Sequence, residues 1–203
     1  MGDIVLAGAT SGTTTLTPTA VSGTTTLTLP ATTDTLVGKT TTDTLTNKSI
    51  VATQLTGTIA AARLPTGSVL QVVNAAFSTE VSTTTTTFVD TGLTATITPT
   101  SATSKILVIV DHADVFKRLG NTGCGQRLLK GASVLTTISK YAADNNSTTY
   151  GMVGGCGINY LDSPATTSPT TYKTQINSTQ NVAQVGINYN DSTSTITLME
   201  IAA

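Results

Sequence analysis

Tryptophan is absent from this chain of 203 residues, and aromatic residues make up only 4% of it. Its core must therefore be filled by aliphatic side chains. Charge is scarce too: charged residues are 10% and the formal net charge is -1. Such a surface has no basic field to attract nucleic acid or an anionic membrane, so neither is expected as a partner. No run of about eighteen apolar residues exists, and no membrane insertion is expected. A single histidine, His112, leaves no second imidazole for a metal pair. Two cysteines, Cys124 and Cys156, are too few for a structural zinc site, which takes four ligands. The opening Met1 to Ala7 lacks the basic start of a secretory signal, so the two thiols are expected to be free rather than bridged. No cofactor and no metal is expected.

Threonine is plentiful, at about a quarter of the chain. A β-branched residue with a hydroxyl suits a pleated, half-wet surface. Disordered segments are usually charged and poor in β-branched residues, the reverse of this chain. The threonines are also arranged. Ser11-Gly12-Thr13-Thr14-Thr15-Leu16-Thr17-Pro18 returns as Ser22-Gly23-Thr24-Thr25-Thr26-Leu27-Thr28-Leu29-Pro30, at an offset of eleven. Asp34 to Thr40 is echoed by Asp43 to Ser49, at an offset of nine. Units this short fit strands of three to five residues joined by turns, not the longer periods of known solenoids. Each unit offers one or two leucines, too little apolar surface to offset its own chain entropy. Copies of the same chain, or docking into a larger assembly, would supply the rest. Residues 1–67 are thus expected to form an attachment arm or shaft. Ile59 to Leu64 reads as one helical turn or a linker, and Pro65 and Gly67 mark the boundary.

From Ser68 the texture changes to strands of ordinary length. Val69 to Val73 is mostly apolar. Thr86 to Ile97 carries a strand, with Gly92 at a bulge or bend. Lys105 to Val110 is apolar on both faces and reads as a central strand buried on both sides. Gln126 to Ile138 holds a hairpin turning at Lys130-Gly131. Gly151 to Tyr160, an alternating run over Val182 to Tyr189, and Ser194 to Ala202 complete the set. The expected fold is all-β, an extended arm followed by a jelly-roll-like β-sandwich over residues 68–203.

Four stretches carry a resemblance: Gly8 to Ile50, Leu55 to Pro65, and the two runs around Gly67–Val110 and Tyr160–Ala203. They resemble the threonine-rich repeats, linker and C-terminal domain of tail fibres and other virion appendages of tailed bacteriophages. The resemblance implies a homotrimer on the phage particle, tied to other virion proteins through residues 1–67. Its distal β-sandwich knob would contact a host surface glycan or protein. A head-surface fibre or decoration protein is the alternative within the same class.

Candidate chemistry is thin. His112 lies in Asp111-His112-Ala113-Asp114, just after the apolar run, and reads as a polar residue at a strand end. Cys124 and Cys156 each sit between glycines and read as small core residues. The glycine-rich stretches 120–125 and 151–155 lack the Gly-Lys-Ser/Thr ending of a phosphate loop. A glycan depolymerase would need two carboxylates in a cleft, and carboxylates are few. Binding is expected rather than cleavage, and no enzyme. The best contact residues are loop residues that combine aromatic area with amides: Tyr141, Asn145, Asn146 and Tyr150. A second binding candidate is Tyr160 to Pro169.

Overall fold

A computed structural model of the chain describes residues 4–7, 12–16, 49–51, 53, 56–57, 59–118, 120–144, 150–180 and 183–203. Contacts divide the chain into two units, Met1–Thr56 and Gly57–Ala203. Strands β1 (Ile4–Ala7) and β2 (Thr13–Leu16) of the first unit pair antiparallel, Ile4 opposite Leu16 and Ala7 opposite Thr13. The first copy of the repeated phrase thus supplies a four-residue strand. The second copy and the echo over 34–48 lie outside the described residues.

The second unit opens on a short 3-10 turn, Ala61–Arg63, where one helical turn or a linker was expected. Its strands are β3 (Val69–Phe77), β4 (Val81–Thr83), β5 (Val89–Ile97), β6 (Lys105–Lys117), β7 (Cys124–Lys130), β8 (Ser133–Ala142), β9 (Gly151–Asp162), β10 (Thr170–Ser178), β11 (Val185–Ile187) and β12 (Ser194–Ile201). Among the described residues there is no α-helix, and none long and apolar enough to cross a membrane.

The strands form two antiparallel sheets. In the first, β6 is flanked along most of its length by β9. Its other edge is covered by β12 and then by β11. Beyond these lie β3, paired with β12, and β4, paired with β11. So β3 and β4 make one interrupted row, and β11 and β12 another. The second sheet runs β5-β10-β7-β8.

The interruptions line up across the first sheet. Residues 78–80 break the first row, 188–193 break its neighbour, and Asp114, at φ 41, breaks the pairing of β6 with β9. Asn188 ties the three together. It adopts the left-handed conformation at φ 58, and its N–H donates to Ala113 O at 2.9 Å. Its side-chain amide donates to Phe77 O at 3.0 Å and Thr79 O at 3.1 Å. Ser194 Oγ then bonds Asn188 Oδ1 and accepts from Ala113 N–H. A buried amide thus replaces the ladder bonds lost at the kink, and the sheet curls there.

The two sheets face each other. Leu93, Ala95, Ile97, Leu128 and Tyr172 of the second sheet pack on Ile106, Val108, Val110, Ile196 and Leu198 of the first. A smaller cluster, Val115, Cys124, Ala142, Ile176, Val185 and Ile187, lies toward the other end. Gly92 is at the expected bulge: its φ is +84, the register shifts opposite it, and a Cβ there would lie 2.7 Å from the Phe77 ring.

Four expectations need correction. The apolar run is longer than Lys105 to Val110, because β6 continues to Lys117; His112 is buried in mid-strand, not at a strand end. The hairpin turns one residue later, at Gly131-Ala132, with Gly131 at φ 56. The alternating run over Val182 to Tyr189 yields only the three residues of β11, because Asn188 breaks it. Leu107 and Ile109, on the outward face of the first sheet, are half-buried rather than buried.

Candidate functional site

His112 belongs to the interior. It sits between Val110 and Val115 on β6, at the height where the two apolar clusters meet. Gln126 on β7, Thr174 on β10 and Thr91 on β5 occupy the same level and are all fully buried. His112 Nδ1 donates to Gln126 Oε1 at 2.8 Å, and Nε2 accepts from Thr174 Oγ1 at 2.9 Å. Thr174 Oγ1 lies 2.6 Å from Thr91 Oγ1, whose single proton is shared between Thr174 Oγ1 and Thr174 O. Gln126 Nε2 is buried without a hydrogen-bond partner. Burial lowers the His112 pKa, against the opposing pull of the Gln126 hydrogen bond, and keeps the ring neutral. A closed polar layer of this kind fixes the registry of the two sheets. It presents no route for a substrate.

Both cysteines are free. Burial pushes the Cys124 thiol up to about 12 and raises that of Cys156. Neither offers a thiolate nucleophile. Among the described residues no three of His, Cys, Asp and Glu are grouped to hold a metal ion.

The carboxylates serve the framework. Asp162 accepts from Tyr172 Oη at 2.7 Å and from Lys130 Nζ at 2.8 Å. Glu200 accepts from Gln71 Nε2 at 2.6 Å and from Thr100 N and Oγ1, both at 2.7 Å. Burial works to raise the Glu200 pKa, but those bonds together with one from Ser104 hold it low. Asp90 is held low by Lys173, at 2.8 Å, and then by Gln175.

The surface residues fall into two settings. Tyr150 joins an aromatic group at one end of the sandwich. Its ring stacks on Phe116 with centroids 6.5 Å apart and lies 5.7 Å from Tyr189. Arg118 sits over both Phe116 and Tyr189 and pairs with Glu80 at 3.2 Å. Burial, then the neighbouring Tyr189, raises the Tyr150 phenol pKa.

Tyr141, 57% exposed, lies elsewhere. It lines a depression of ≈ 310 Å³ on the outward face of the second sheet, with Phe88, Gly125, Thr137, Ser139, Lys140, Asn177 and Thr179. The Phe88 ring is covered on one side by the Arg127 guanidinium, 3.9 Å from its centroid. Arg127 is held in place by two bonds to Gln175 Oε1, at 2.8 and 2.6 Å. Asn177 is fixed by Nδ2 donating to Thr86 O at 2.8 Å, while its Oδ1 rests on Gly125 with no donor. Any Cβ at position 125 would lie 2.1 Å from that oxygen.

Tyr141 and Tyr150 thus stand among different neighbours, and Asn145 and Asn146 lie outside the described residues. Within Tyr160 to Pro169, the first three residues are the end of β9 and the connection is 163–169. Phe88 and Asn177 were not among the expected contact residues. A signal was present for Asn177 alone: Lys173, Gln175, Asn177 and Thr179 alternate with buried Tyr172, Thr174, Ile176 and Ser178, marking an outward polar row.

No protein-family model matches the chain, and no curated protein is significantly similar to it.

Proposed function

We propose that this chain is a structural and adhesive virion protein of a tailed bacteriophage: a short homotrimeric tail fibre, anchored through residues 1–67, whose knob contacts the host surface. The threonine-rich arm and its resemblance to virion appendages motivate the reading. The observation that carries the self-association is one line of side chains on the outward face of the first sheet. Val72, Met199, Leu107 and Leu161 stand opposite one another across four rows. Val72 is 55% and Leu161 52% exposed. The next line, Asn74, Thr197, Ile109 and Asn159, is uncharged as well. An apolar band of this kind marks an interaction surface, and copies related by closed symmetry are its simplest cover.

The winding of the sandwich suits the reading. Numbered in chain order, with β3/β4 first and β11/β12 eighth, the rows run 1-8-3-6 in one sheet and 2-7-4-5 in the other. We read this interleaving as a jelly roll. The carboxylates described above are tied to cations, amides and hydroxyls, which favours binding over cleavage.

Immunogold labelling tests the assignment, with antibody raised against residues 68–203 and intact phage particles viewed by electron microscopy. Label at the tail is the expected result. Label on the head would favour the capsid-fibre alternative, and unlabelled particles would overturn a virion role.

A further inference from the structure

The two outer faces of the sandwich differ in chemistry. The first sheet presents the apolar band. The second presents polar side chains held by one another: Lys173 and Gln175 on Asp90, Arg127 on Gln175, and Phe88 on Arg127. These faces look in opposite directions. If copies associate through the first, the second remains on the outside of the assembly.

We infer that the depression beside Tyr141 is a saccharide site, taking a hexose or N-acetylhexosamine unit of a surface glycan. The inference rests on the adhesive reading for its biological meaning, but not for its chemistry. Sugars offer two recognisable features: an apolar face of C–H groups and a ring of hydroxyls. The depression has a counterpart for each. Tyr141 supplies an exposed ring, and Phe88 a second ring stiffened by Arg127. Such rings give contact area at small entropic cost. Thr137 supplies a hydroxyl that can both donate and accept, and Lys140 supplies an amine, while the Thr179 hydroxyl is held by Gly123.

Asn177 forms part of the floor. Its amide is immobilised by Thr86, and its Oδ1 has no donor from the chain. That oxygen is buried against Gly125, so Asn177 shapes the floor of the depression rather than bonding a ligand. Gly125 makes that arrangement possible, because a side chain there would displace the Asn177 oxygen.

What the lining lacks is also informative. No carboxylate is among its eight residues, so it holds neither the acid nor the base of a glycosidase. Apart from the Lys140 ammonium, which can donate to sugar hydroxyls, its lining is uncharged. Its size fits one or two sugar units. A folded protein partner would demand a far larger patch, about 800 Å² per side.

Saturation-transfer NMR on the purified full chain tests the site, with chitotriose, cellotriose and maltotriose as probes in millimolar excess. At least one should show transfer, strongest at its C–H protons. Tyr141→Ala should weaken it by about tenfold or more, the loss typical of truncating an aromatic anchor. Tyr141→Phe should retain it. The melting temperature of each variant is followed in parallel.

Absence of transfer from all three probes would overturn the saccharide assignment. So would transfer that survives Tyr141→Ala, since the sugar would then bind elsewhere. Either failure leaves the virion reading standing if particles carry the immunogold label. Conversely, saccharide binding by a chain that does not label particles would keep the site and overturn that reading.

Discussion

His112 Nδ1 donates to Gln126 Oε1 across the interior, 2.8 Å apart, and so joins the first sheet to the second inside the core. The bond suits a neutral imidazole, and burial lowers the His112 pKa below its ordinary 6.5. In the unfolded chain the ring takes up a proton near that ordinary value. The stability due to the neutral ring is therefore present above about pH 6.5 and is lost progressively as pH falls below it, with a slope of at most about 1.4 kcal/mol per pH unit. Thermal melts from pH 7.5 to 5 should show a falling melting temperature. His112→Gln should flatten that dependence. The carboxylates Asp90 and Glu200, also held low, contribute only further down, below about pH 4. An unchanged slope in His112→Gln would remove the ring from this role.

Asn188 should be far more sensitive than its polar character suggests. Asn188→Ala removes two hydrogen bonds to backbone carbonyls and one to Ser194, and leaves an alanine in left-handed geometry. A loss of roughly 2–4 kcal/mol is expected. Chemical denaturation measures it. A loss under about 0.5 kcal/mol, the size of ordinary surface substitutions, would mean that the kink holds without this amide.

Gly92→Ala tests the bulge of β5. The substitution adds a Cβ at φ +84 and drives it toward the Phe77 ring. Steric strain and overpacking together should cost about 2–4 kcal/mol. Phe77→Leu should recover part of the loss by making room. A neutral Gly92→Ala would contradict the close approach.

The strand content and the sandwich were legible from Ser68 onward because aliphatic residues come in short runs separated by turn formers. Ile106, Val108 and Val110 were readable as core for the same reason, and all three are buried. The extent of β6 was not, since Asp111-His112-Ala113-Asp114 looks like a strand end. Only the partners Gln126 and Thr174, distant in sequence, make a buried histidine tolerable there. The kink at Asn188 was hidden in the same way, because its amide serves carbonyls more than a hundred positions away. Tyr141 was legible as an exposed aromatic. Its neighbours are Phe88, just before β5, and Asn177, on β10, and pairing between distant segments brings them together.

The association of chains through the outward face of the first sheet is tested most directly by sedimentation equilibrium of the purified full chain, beside Leu107→Glu. Leu107 lies in the middle of the apolar line, flanked by Met199 and Leu161. Three times the single-chain mass of 20.7 kDa is the expected result for the natural sequence. Leu107→Glu should lower that mass while keeping a cooperative melt, because the side chain faces away from the core. A natural chain that sediments at 20.7 kDa at every concentration would contradict the account, and so would a trimer indifferent to Leu107→Glu.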